Sequence, residues 1–266
     1  MEVYFPNNEY HTDSQNKRFL LDRISLGTRF GFFLIFLKHL FRSRKWALQG
    51  IYDTALWAKT SIGILKMIEG CGGKFHILGL DNIRNEKEPV VFISNHMSTL
   101  ETMVFPGIIA PIKEATFVVK DSLVSHPLFG PIMRARKPIV VSRSDSMQDF
   151  KKVMSEGQAL LEQGNSIIIF PQSKRVAQFD PNTFNTLGVK LARAAKVKII
   201  PIAIKTDYWD NGSILKDVGA IHRDRPIYIE FGKAMEVQGA GKEEHQAIID
   251  FISKRLKNWG GKVLDS

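Results

Sequence analysis

"VVFISNHMSTLET", residues 90–102, opens with five residues suited to a buried strand and turns polar at Asn95 and His96. An acid, Glu101, follows five positions after the histidine. Similar runs recur downstream. "TFVV" (116–119), "PIVV" (138–141), "SIIIF" (166–170), "KIIPIAI" (198–204) and "PIYIEF" (226–231) all read as strands, and so does "VVFI" (90–93). Windows with helical spacing lie between them, near 99–109, 147–163 and 184–195. A last helix, about 243–259, carries Ile248, Phe251, Ile252, Leu256 and Trp259. Near-continuous apolar strands separated by helices predict an α/β fold with a central mixed, largely parallel sheet covered on both faces. In such folds ligands gather where strands end and helices begin. The 90–102 stretch is one of those junctions.

Upstream the pattern differs. Residues 1–22 are polar and mixed in charge and read as a flexible segment without a secretory signal. Residues 23–73 read as two helices, broken near Ser43, ending in the "GCGG" turn at 70–73. The α/β domain then occupies 74–266. The most apolar stretch, "FGFFLIFL" (30–37), is roughly half of the ~20 residues a spanning helix needs. Arg29 precedes it, and Lys38, Arg42, Arg44 and Lys45 follow. That pattern fits a helix lying in a membrane interface, where each basic residue near an anionic leaflet adds about 1 kcal/mol. The plainer alternative is a buried helix of a soluble fold.

The chain has 266 residues, 44% of them hydrophobic, enough for one sizeable core. Its net charge of +10 favours acidic partners: anionic lipid, an acidic carrier or nucleic acid. No aromatic-basic nucleic-acid module is present, and the charge is dispersed, so a nucleic-acid role is not expected. The single cysteine, Cys71, excludes an intramolecular disulfide and a multi-cysteine metal site. There is no G-x-S-x-G elbow and no Walker loop. No metal or prosthetic group is implied.

A histidine with an acid five residues on is weak evidence alone, since chance supplies on the order of one such pair in a chain like this. Two others exist, His76/Asp81 and His245/Asp250. His245 lies within the C-terminal helix, where positions five apart diverge by about 140°. His76 lies in an extended run, where odd spacing separates the faces. Only His96 stands where a strand gives way to a loop, so that Glu101, in the first turns of the next helix, can meet it. A neutral imidazole held by a carboxylate can accept an alcohol proton, which suits direct acyl transfer to a hydroxyl from a thioester. A surface or helix-capping histidine is the other reading of the same residues. Further basic groups follow strand ends: Arg143 after "PIVVS", and Lys174 and Arg175 in "IIIFPQSKR" (167–175). Their position fits a phosphate site.

Together and in order, four blocks resemble the glycerolipid acyltransferase family, which acylates lysophosphatidate and related lysophospholipids. "NHMSTLE" matches its N-H-x-x-x-x-D, with Glu101 in the aspartate position. "PIVVSR" matches the second motif, ending at Arg143. "FPQSKR" matches F-P-E-G-T-R at Phe170, Pro171 and Arg175, but not at Gln172, Ser173 and Lys174. "IIPIAI" supplies the fourth, with Pro201 inside an apolar strand. "FVVKDSLVSHPLFGPIMR", with Lys120, resembles the segment between the first two motifs, and the resemblance covers about 74–235. It implies that His96 is the general base and Glu101 its partner, without a covalent intermediate. Arg143 and Arg175 would hold the acceptor phosphate, and Asn95, Lys120, Gln172, Ser173, Lys174 and Pro201 would complete the substrate-binding set. The donor would be acyl-CoA or acyl-ACP, a co-substrate rather than a cofactor. The partners would be a lysophospholipid and anionic lipids, at the cytoplasmic face of a membrane reached through the 23–73 helices. A non-catalytic lipid- or acyl-carrier-binding protein on the same fold is the alternative.

Overall fold

A computed structural model of the chain describes residues 3–25, 28–172, 174–213 and 217–264. In chain order the elements are β1 (Glu9–His11), α1 (Leu20–Ile24), α2 (Arg29–Leu48), α3 (Thr54–Gly70), β2 (Phe75–Leu78) and α4 (Asp81–Arg84). Then come β3 (Val91–Ser94), α5 (Leu100–Ile109), β4 (Ala115–Lys120), α6 (Asp121–Ser125), α7 (Gly130–Ala135) and β5 (Ile139–Val141). The remainder is α8 (Ser146–Glu162), β6 (Ser166–Ile169), β7 (Gln178–Phe179), α9 (Leu187–Ala195), β8 (Ile199–Lys205), β9 (Ile227–Phe231), α10 (Lys242–Asn258) and β10 (Lys262–Val263).

Eight strands form one sheet in the order β1-β2-β9-β8-β3-β6-β4-β5. The pairs β1–β2 and β8–β9 are antiparallel, and the other neighbours are parallel. The mixed, largely parallel sheet expected from the sequence is therefore present. Its centre explains why the apolar runs are continuous. Every residue of β3, β6 and β8 is buried, because helices cover both faces and neither face needs a polar residue.

The N-terminal third departs from expectation in three ways. The segment expected to be flexible, 1–22, is no loose appendage over its described residues, 3–22. β1 pairs with β2, and Asp22, fully buried, accepts hydrogen bonds from Arg18 and Arg223. Helix α2 also runs unbroken through Ser43, whose hydroxyl donates to the carbonyl of His39 and stays inside the helix ladder. The break comes later, at Gly50, whose φ of 74° suits a residue without a side chain, and α3 is capped by Asp53, whose carboxylate accepts the Leu56 N–H. Third, α3 belongs to the body of the domain. It packs along α5, and Ser61 reaches across. Pro106 interrupts the α5 ladder, and the Ser61 hydroxyl repairs it by accepting from the Gly107 N–H at 2.8 Å and donating to the Met103 carbonyl at 2.6 Å.

Helix α2 has two apolar faces. Phe32, Phe36 and Leu40 are buried, and Phe32 and Phe36 each meet the fully buried Trp209 edge-on with ring centres 5.0 Å apart. Phe30, Leu34, Phe41 and Leu48 are exposed and fall within about 40° of one another at 3.6 residues per turn. Lys38, Arg42 and Lys45 are exposed beside this stripe. Among the described residues no helix is long and apolar enough to cross a membrane.

Candidate active site

The site begins where β3 ends. Asn95 is buried, and its side chain imitates one more rung of the β3–β8 ladder. It donates to the Ile204 carbonyl and accepts from the Ile204 N–H, both at 2.9 Å. The backbone is thereby pinned one residue before His96. The loop after β6 fastens it from the other side. Gln172 accepts from the His96 N–H at 2.9 Å, and the Val176 N–H donates to the His96 carbonyl at 3.0 Å. The imidazole lies flat on the Phe170 ring, with centroids 4.2 Å apart and an interplanar angle of 20°.

His96 and Glu101 meet. Nδ1 lies 2.9 Å from Oε1, and the Glu101 side chain is fully buried. The same Oε1 accepts the Met97 N–H at 2.7 Å and the Ser98 N–H at 2.8 Å. Oε2 accepts from the hydroxyls of Ser98 at 2.9 Å and Thr206 at 2.7 Å. The extra methylene relative to aspartate thus seats one oxygen in a nest of N–H groups at the start of α5. Burial alone would raise the carboxyl pKa. The hydrogen bond and charge of His96, the Thr206 hydroxyl and the Ser98 N–H outweigh burial and hold it below its ordinary value. An ionised, acceptor-only carboxylate makes Nδ1 the donor. Nε2 is then the basic nitrogen, and it makes no hydrogen bond to any described residue.

The two decoy pairs stay apart. His76 bonds His11 and stacks on Tyr228, while Asp81 pairs with Arg84. His245 stacks on Phe184, while Asp250 accepts from Gln246.

His96 opens onto a cavity of about 830 Å³. Its apolar wall includes Phe36 and Leu40 of α2, Trp57 and Ile64 of α3, and Phe117 and Phe170. Polar groups also reach it: Thr99, Lys120, Arg143, Arg175, Lys190 and Asp217. Arg175 Nη1 donates to the Thr99 hydroxyl and, at 2.6 Å, to Asp217 Oδ1. Arg143 adopts a left-handed backbone with φ of 60° and gives its N–H to Asp149 at 2.6 Å. Burial acts to raise the Asp149 pKa, and the N–H groups of Ser142 and Arg143 outweigh it, keeping the carboxyl below its usual value.

The expected substrate-binding set divides. Lys120, Arg143 and Arg175 line the cavity. Asn95 and Gln172 are not among its lining residues: the Asn95 amide is taken up by the Ile204 backbone, and Gln172 Oε1 by the His96 N–H. Pro201 is buried in the middle of β8 against Gly232 and is a packing residue. Lys174 is exposed and away from the cavity wall. Ser173 lies outside the described residues. Thr206, Ser98, Lys190 and Asp217 were not anticipated. Thr206 directly follows β8, so the strand-end rule would have found it. Asp217 stands in a loop with no local signal.

The acyltransferase family model matches residues 74–205. A 1-acyl-sn-glycerol-3-phosphate acyltransferase from Pseudomonas aeruginosa is 28% identical over 209 residues, covering 78% of this chain and 75% of the relative. A chloroplastic 1-acyl-sn-glycerol-3-phosphate acyltransferase from Arabidopsis thaliana is 28% identical over a shorter 135 residues, 49% of this chain and 36% of the relative. The crystal structure of a 1-acyl-sn-glycerophosphate acyltransferase from Thermotoga maritima superposes with a TM-score of 0.62 at 15% identity, covering 92% of this chain and 94% of the other. At that identity the superposition shows a shared fold.

Proposed function

We propose that this chain, whose residues 74–205 match the acyltransferase family model, moves a fatty acyl group from a thioester to the free hydroxyl of a lysophospholipid, 1-acylglycerol-3-phosphate first among them. The observation that carries this reading is the contact of His96 with the buried Glu101 carboxylate at the wall of a largely apolar cavity. His96 Nε2 takes the acceptor's hydroxyl proton as the oxygen attacks the thioester carbonyl. The C–O bond forms, the C–S bond breaks, and the imidazolium returns its proton to the departing thiolate. Glu101, already ionised, stabilises the imidazolium between those two transfers. Its hydrogen bond keeps Nδ1 as the donor, so the base always faces the cavity. No side-chain nucleophile is needed.

The donor is acyl-CoA or acyl-ACP, both acidic and suited to a chain of net charge +10. Arg175 and Arg143 are the cations we assign to the acceptor phosphate, with Lys120 at the same wall. The exposed apolar stripe of α2 and its basic neighbours hold the enzyme on the cytoplasmic surface of a membrane containing anionic lipid. Incubating the purified protein with an acyl thioester and a panel of lysolipids, with products identified by mass, tests the reaction. His96→Ala should abolish thiol release yet keep binding to anionic vesicles. Turnover surviving in that variant would remove His96 from the mechanism.

A further inference from the structure

We propose that Asp217 is a specificity-determining residue: its carboxylate cancels the charge of Arg175 and so limits how strongly the site favours a phosphate-bearing acceptor. This rests on the acceptor reading given above and goes beyond it, since Asp217 lies outside every matched motif and after the family match ends at 205.

Three contacts place it. Asp217 Oδ1 sits 2.6 Å from Arg175 Nη1 and accepts the Thr99 hydroxyl at 2.7 Å. Its backbone carbonyl accepts from Trp209 Nε1 at 3.2 Å, so the buried indole fixes the chain from which the carboxylate projects. All of Thr99, Arg175 and Asp217 border the cavity that His96 faces. Arg175 is engaged through Nη1 alone. Its Nε and Nη2 make no hydrogen bond to a described residue and are available to an incoming oxyanion.

A phosphate arriving at that free edge meets a guanidinium already paired with an anion. It must either displace the carboxylate or bind beside it against repulsion. Both outcomes weaken phosphate capture in the free enzyme. Substrate and product of the proposed reaction carry the same phosphate. A grip that holds both equally does not lower the barrier and slows release. Asp217 moderates that grip. The pair is partly exposed, with side-chain exposures of 22% and 39%, so its effect is modest rather than absolute.

The test compares kcat/KM for lysophosphatidate with that for an uncharged monoacylglycerol in wild type, Asp217→Asn and Asp217→Glu. Asn keeps an oxygen for Thr99 and leaves the Trp209 bond untouched. The lysophosphatidate-to-monoacylglycerol ratio should rise about two- to fivefold in Asp217→Asn, as expected for a partly exposed charge pair, and return toward wild type in Asp217→Glu. An unchanged or lower ratio would overturn the proposal and make Asp217 a support that orients Arg175. Calorimetric titration with glycerol 3-phosphate separates this from failure of the acceptor reading, because it needs no turnover. Severalfold tighter binding by Asp217→Asn supports the proposal, equal or weaker but measurable binding defeats it alone, and undetectable binding in both proteins defeats it together with the acceptor reading on which it rests.

Discussion

Replacing Glu101 with Gln isolates the charge of the carboxylate from its geometry. Oε1 accepts three hydrogen bonds, two of them from the rigid N–H groups of Met97 and Ser98. Only the amide oxygen of Gln fits there. The amide nitrogen then falls at the Oε2 position, opposite the Ser98 and Thr206 hydroxyls, which can rotate to accept. His96 therefore keeps its tautomer. This differs from triads where the corresponding carboxylate-to-amide change leaves the geometry intact but fixes the wrong imidazole tautomer and costs about 10⁴. What disappears is one buried negative charge 2.9 Å from Nδ1. Two unit charges about 4 Å apart at an effective dielectric near 20 interact by about 4 kcal/mol. The imidazolium charge is spread over its ring, so the expected loss in kcat is roughly 10²–10³. Thiol release at saturating donor and acceptor measures it. A loss below tenfold would show that the carboxylate charge does not stabilise the reacting imidazole. The same variant reports on stability. The Glu101 carboxyl is depressed in the folded protein, so its stabilising contribution is complete above the ordinary value of 4.5 and is lost as pH falls through the folded value. The difference in thermal midpoint between wild type and Glu101→Gln should shrink as pH drops below 4.5.

Asn95→Ala removes both bonds to the Ile204 backbone and should cost about 2–4 kcal/mol in urea denaturation; wild-type stability with a raised acceptor KM would instead restore Asn95 to the substrate wall. Gly107→Ala places a methyl group 2.9 Å from the Ile62 backbone nitrogen, and the forced separation of α3 from α5 should destabilise the fold by about 1–3 kcal/mol. The double variant Leu34→Ser and Phe41→Ser removes two exposed groups from α2; it should weaken flotation with anionic vesicles at least tenfold, on the basis of roughly 1.5 kcal/mol or more per buried large apolar side chain, and leave the thermal midpoint in place. Unaltered flotation would separate α2 from membrane binding.

The sheet was readable because β3, β6 and β8 are buried on both faces and are apolar throughout except at an end, where Ser94, Ser166 and Lys205 stand. β1 was not, since a three-residue edge strand of Glu9, Tyr10 and His11 carries no alternation or apolar run. The break after α2 was misplaced because serine, a weak helix former, attracted attention at 43, whereas Gly50 and the Asp53 cap decide the matter. His96 and Glu101 were readable together because their contact is local and the helix start fixes it. Asn95 and Gln172 misled for the opposite reason. Their neighbourhood in sequence was right, but a one-dimensional pattern does not tell whether a polar side chain faces a ligand or a backbone. Thr206 and Asp217 reach the site from 105 positions beyond Glu101 and 42 beyond Arg175, distances over which no local spacing rule operates.

Helix α2 is a wall with two tenants. Phe36 and Leu40 bound the chamber that His96 faces, while Phe30, Leu34 and Phe41 look outward. For an enzyme resting on a bilayer by the outer row, a fatty tail can slide around this one partition without crossing bulk solvent. Velocity would then follow the two-dimensional mole fraction of lysolipid in the leaflet, so that diluting it with inert lipid slows the reaction even when the total amount in the tube is constant.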